Sequence, residues 1–150
     1  LIKSIANVFL GFMSLSAFAQ QIANPQPIFS EAELLAVVAQ IHVGHIACEL
    51  GQSVEITADK SSSTQFYLKH KKEHYHLTPV KTSTGAIRLE DASAGAVWIQ
   101  LSNKSMLMSS KLGQRLADEC RSPEQVVVNE AMKLAPPINI LEPAPGVAKK

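Results

Sequence analysis

Two periodicities divide this chain. Leu34, Val37, Val38 and Ile41 recur at the spacing of one helical face. Ahead of them, Ser30-Glu31-Ala32-Glu33 has the form of a capping box, with Ser30 as N-cap and Glu33 three positions on. The pattern predicts a short amphipathic helix running to about Gln40 and broken by Gly44. Beyond it the period shortens to two. Val54, Ile56 and Ala58 alternate with polar neighbours, Asp59 to Ser63 is a polar turn, and Gln65 to Leu68 mixes aromatic and polar positions. Lys69 to Glu73 reads as a hairpin tip, with Tyr75, Leu77 and Pro79 on the returning strand and Gly85 ending that segment. Further short strands are expected at Ala86 to Glu90, Ala96 to Leu101, Ser105 to Met108 and Leu112 to Ala117. Strands returning every eight to twelve residues predict an all-β domain, a small antiparallel barrel or sandwich.

The two ends follow neither period. Residues 1–19 carry one cation at Lys3, an apolar run from Ile5 to Leu15, and then Ser16-Ala17-Phe18-Ala19, which is the anatomy of a signal peptide cut near Ala19. The run is too short for a membrane span of about 20 apolar residues, so a stable membrane anchor is not expected. Residues 20–41 then form a lead-in with Pro25 and Pro27 followed by the short helix. The body of the domain is placed at 42–120. Residues 121–150, with Pro136-Pro137 and Pro143-Ala144-Pro145-Gly146, read as a Pro-rich, largely disordered tail containing a short helix from Glu124 to Leu134.

Charge narrows the partners. Fourteen Lys+Arg against thirteen Asp+Glu give no general electrostatic attraction to nucleic acid. Cysteine usage narrows the compartment. An exported chain meets oxidising conditions, and Cys48 and Cys120 can pair only with each other; the alternative is two buried free thiols. Closing a loop across their 72-residue separation contributes about 4 kcal/mol in the chain-entropy description.

Chemistry-bearing motifs are sparse. There is no G-x-S-x-G, no G-x-G-x-x-G and no P-loop lysine, so nucleophilic hydrolysis and nucleotide chemistry are not expected, and no cofactor is called for. His74 and His76 would share one strand face with His70 close by across the turn. A polar outward face beside a lysine-rich tip accounts for them without a metal. His42 and His45 read as strand-surface residues, Met106 and Met108 as core, and Lys69 to Lys72 as a solvated tip.

The stretch from Cys48 to Cys120 resembles the MliC/PliC family, bacterial inhibitors of C-type lysozyme. The likeness lies in a cysteine just after a strand (Ile46-Ala47-Cys48), an S-x-S-G-A-like loop (Thr82-Ser83-Thr84-Gly85-Ala86), a W-x-K-G-like segment (Trp98-Ile99-Gln100-Leu101), and the closing Cys120. The resemblance implies an eight-stranded antiparallel barrel whose first and last strands the disulfide joins. It also implies that the loop enters the lysozyme cleft, where a serine hydroxyl and a lysine ammonium meet the catalytic carboxylates. Carried onto this chain, Thr84 keeps the hydroxyl with Ser83 adjacent and Gly85 shaping the turn. Gln100 stands in place of the lysine, Leu101 in place of the glycine, and Arg88 in place of a tyrosine. A neutral amide forfeits the charge-assisted part of such a contact, so Arg88 or Lys104 is expected to supply the cation. Without any family, Gly85 serves a turn, Trp98 plugs the barrel and Thr84 pairs with backbone.

Two functions follow. One is a periplasmic or secreted inhibitor of C-type lysozyme acting by loop insertion through Ser83, Thr84, Gly85, Arg88, Trp98, Gln100 and Lys104. The other is an envelope-associated binding module that uses the barrel and the tail. Neither is an enzyme.

Overall fold

The computed structural model describes residues 28–135. The segment read as a signal peptide, 1–19, the first part of the lead-in and the chain beyond 135 lie outside the described residues. Ser30 caps the first helix, α1 (Glu31–Val38): its hydroxyl accepts from the Glu33 N–H, and the Glu33 carboxylate accepts from the Ser30 N–H. Eight strands follow: β1 (Gly44–Ala47), β2 (Ser53–Ala58), β3 (Phe66–His70), β4 (Glu73–Val80), β5 (Ile87–Asp91), β6 (Ala96–Gln100), β7 (Ser105–Ser109) and β8 (Gln114–Cys120). The chain then enters α2 (Pro123–Leu134).

Each strand pairs antiparallel with the next, from β1 through to β8. The Arg121 N–H donates to the Ala47 carbonyl at 2.9 Å, bringing the last strand back to the first. The all-β expectation therefore resolves to a nearly closed eight-stranded barrel. Cys48, just past β1, is bonded to Cys120 at the end of β8 across this seam, 72 positions apart.

The period-two pattern is what fills the interior. Phe66, Leu68 and His70 of β3 point inward, as do Tyr75, Leu77 and Pro79 of β4, while Tyr67, Lys69, His74 and His76 point out. Ile46, Val54, Ile56, Leu89, Trp98, Leu107 and Ala117 complete one continuous core. On β7 the inward set is Ser105, Leu107 and Ser109, so Met106 and Met108 face outward and are half-buried. Their assignment to the core is corrected: Leu107 occupies the inward register opposite Trp98, which sends its neighbours to the other face.

Candidate functional site

One end of the barrel carries an open groove of about 860 Å³. Four segments build it: the linker from α1 to β1, the β4–β5 loop, the β6–β7 turn and the start of α2. Two buried glutamines hold these segments together. Gln100, at the end of β6, accepts from the His42 backbone N–H at 3.0 Å and donates to the Gln40 carbonyl at 2.7 Å, which pins the linker over the barrel end. Gln125 donates from one amide nitrogen to the Leu101 carbonyl and the Ser105 hydroxyl, both at 2.8 Å, which seats α2 on the turn. His42 Nδ1 lies 3.4 Å from Glu124 Oε2, closing the circuit between linker and helix.

The β4–β5 loop projects beside this groove. Thr82 Oγ1 donates to the Ala86 carbonyl at 2.7 Å, cinching the base, and Gly85 turns the chain at φ +77°, where only glycine is unstrained. Ser83, Thr84 and Gly85 are left exposed at the tip. The backbone pairing expected of Thr84 is thus made by Thr82.

The expected site residues separate into two groups. Thr84, Gly85 and Gln100 border the groove together, and Ser83 lies at the adjoining loop tip. Gln100, however, is 4% exposed and spends both ends of its amide on the linker, so it is a structural latch. Trp98 is completely buried at the centre of the barrel, and its indole N–H finds no hydrogen-bond acceptor among the described residues. Arg88 is ion-paired with Glu90, two positions along β5 on the same face. Lys104 is ion-paired with Glu119 and lies 3.9 Å from Asp118. The expectation that Arg88 or Lys104 offers a spare cation is therefore corrected: Arg88 already has a carboxylate two positions along its own strand, and Lys104 has one that only the fold brings beside it. Lys104 holds the Glu119 carboxyl below its ordinary range. Burial pushes Asp118 up, but the Glu119 N–H and Arg115 outweigh it and the net shift is down.

The histidines divide between faces. His74 and His76 face solvent, with His76 stacked on Tyr67 at 4.6 Å and bonded to Asp59 at 3.0 Å. His70 faces the core, 3.0 Å from the Gln52 side chain, and burial, aided by Lys71, pushes its imidazole below the usual range. His70 therefore does not join His74 and His76, since adjacent strands keep each register on one face. Among the described residues no group of three or more His, Cys, Asp or Glu side chains is placed to hold a metal ion.

Sequence reasoning missed His42, Glu124 and Asn103 as groove residues and Gln125 as an anchor. For Gln125 a signal was present: Ser122 with glutamine three positions on is a second capping box, and it opens α2, which matches the short helix expected from Glu124 to Leu134. Glu124, in its first turn, has its carboxyl held below the usual range by its own backbone N–H, the Ser122 hydroxyl and His42.

Comparison with known proteins returned no family model, no curated protein and no solved structure that matches this chain. The class is accordingly structural: a disulfide-closed antiparallel barrel with a glycine-turned loop beside a groove of mixed polar and apolar lining.

Proposed function

We propose that the chain is an exported binder of C-type lysozyme that inhibits by inserting the Thr82–Ala86 loop into the enzyme's active-site cleft. One observation supports this above the others: the loop has a cinched base and an exposed hydroxyl-bearing tip. A preorganised protrusion loses little conformational entropy on binding. Thr84 and Ser83 carry hydroxyls that can donate to a carboxylate, a contact worth about 1.5–3 kcal/mol when the acceptor is charged. With Gln100, Arg88 and Lys104 all engaged internally, recognition by this loop rests on hydroxyl donors and shape.

The test is titration of the chain lacking residues 1–19 against C-type lysozyme, following hydrolysis of cell walls and binding heat. Inhibition at micromolar protein is expected, and Thr84→Ala should weaken it by about tenfold, the value of one charge-assisted hydrogen bond. Unchanged lysozyme activity at micromolar excess removes the proposal.

A second reading, an envelope-associated binding module, is favoured by α2. Val127, Met132 and Leu134 of this helix are exposed at 69%, 56% and 87%. Retention on envelope extract that disappears when residues 123–150 are deleted, with lysozyme unaffected throughout, would select this reading.

The described residues include no helix long and apolar enough to cross a membrane.

A further inference from the structure

The groove beside the loop has an electrostatic character of its own. None of the residues lining it is a lysine or an arginine, and its one carboxylate is Glu124, whose side chain is 69% exposed. The remaining polar groups are His42 and the neutral Thr84, Ser102, Asn103, Gln40 and Gln100, with Ile41, Ile87 and Leu101 as apolar lining. Cations elsewhere near this end are tied down. Arg88 belongs to Glu90, Lys104 to Glu119, and Lys81 to Glu33 at 2.8 Å. The Glu124 carboxyl is held below its usual range by the first turn of α2, borders the groove, and among the described residues has His42 as its one ion-pairing partner.

We propose that this groove accepts a cationic side chain, a lysine or arginine, from the surface of a partner protein, with Glu124 as the acceptor and Asn103 and Ser102 as neighbouring hydrogen-bonding groups. The inference deepens the reading above and rests on it only for the identity of the partner. Polarity is its content. The loop is flanked unequally: Lys81 and Arg88 lie on its other side, each paired with a glutamate, whereas the groove side carries the carboxylate of Glu124 and no lysine or arginine. The two contacts therefore address different parts of one partner: the loop tip meets acidic groups in a cleft, and the groove meets a basic group on its rim. His42, whose main chain is fixed by Gln100, lies 3.4 Å from the same carboxylate and competes with an incoming cation for it.

The experiment has two arms, each read on wild type, Glu124→Gln and His42→Ala, with folding of each variant checked by thermal melting and the Trp98 near-ultraviolet signal. In the first arm, an acetylated, amidated tri-lysine peptide is titrated into nitrogen-15-labelled protein, with tri-glutamate as control. Shifts are expected at Thr84, Gly85, Ser102, Asn103 and Glu124, weakened about three- to fivefold by Glu124→Gln, the range of a partly exposed ion pair. They should fade as salt shortens the screening length. His42→Ala should tighten binding about twofold by removing the competitor. Shifts that map elsewhere, or that Glu124→Gln leaves unchanged, overturn the inference. In the second arm the ligand is C-type lysozyme. Weaker binding by Glu124→Gln supports the groove contact, while equal or tighter binding overturns it. If lysozyme binds no variant but tri-lysine titrates onto the groove, the reading above fails and the groove proposal stands. If Thr84→Ala weakens lysozyme binding and Glu124→Gln does not, the reverse holds.

Discussion

Helices α1 and α2 open with the same four-residue device and are attached to the barrel in opposite ways. In α1 the third helical residue is Glu33, which accepts from the Ser30 N–H at 2.8 Å and reaches outward to Lys81 at 2.8 Å. In α2 the equivalent residue is Gln125, which accepts from the Ser122 N–H at 3.0 Å and is completely buried. A carboxylate has only acceptors, so at the surface it can serve both a backbone donor and a lysine. An amide has an acceptor and two donors, so in the interior it can cap the helix with one end and hold Leu101 and Ser105 with the other. The capping motif is shared; burial decides which chemistry completes it. The same difference explains why α1 buries no residue along its length, whereas α2 is fixed at its first turn and extends outward from there.

Both attachments depend on a closed barrel, and opening the seam tests that dependence most severely. Replacing Cys48 and Cys120 by serine should lower unfolding stability by about 4 kcal/mol, measured by urea denaturation against the oxidised protein. An unchanged midpoint would mean that the Ala47–Arg121 contact closes the seam unaided. The contrast between the two third-position residues comes next. Gln125→Glu buries a charge that faces the Leu101 carbonyl, and a loss of about 3 kcal/mol is expected at neutral pH. That loss should shrink on acidification, because the buried acid has a raised folded-state pKa and its protonated form carries no charge. The mirror change, Glu33→Gln, should leave the denaturation midpoint within experimental scatter.

Gln100→Leu should cost about 1–3 kcal/mol, since it leaves the His42 N–H and the Gln40 carbonyl without their partner. Faster hydrogen exchange at the His42 amide, with β3 and β4 unaffected, would locate that loss in the linker.

The smallest effect concerns pH. Lys81, then Ser30, lowers the Glu33 pKa to about 2 from an ordinary value of 4.5. The attachment of α1 is complete above the ordinary value and is lost as pH falls through the folded one. Amide resonances of Glu33 and Leu34 should therefore hold steady down to about pH 4 and move between there and pH 2. A midpoint near the ordinary value of 4.5 would show that the Lys81 contact contributes nothing.

Much of this was legible in the residues alone. Ser30 and Glu33 announced α1, and alternation through Val54 and Ile56, and through Tyr75, Leu77 and Pro79, announced inward faces that the barrel realises, while Ala58, counted in the same alternation, is exposed at the end of β2. The β7 strand misled because its two methionines are as apolar as Leu107, and alternation cannot say which of two apolar sets turns inward. The loop was visible through Gly85, since a positive φ is a local demand. The groove was not, because Gln40, Gln100 and Glu124 are far apart in sequence and become neighbours only when the barrel end is assembled.

By itself, then, the sequence determined what depends on near neighbours: the capped helices, the strand alternation, the glycine turn at 85, and one possible cysteine pairing. The tertiary structure decided what depends on distant ones. It committed Gln100 to a latch, gave Lys104 to Glu119, and set Glu124 at the edge of an open groove. Local conformation follows from sterics and hydrogen bonding within a few residues, whereas the charge a site presents is what remains after its groups have found partners across the fold.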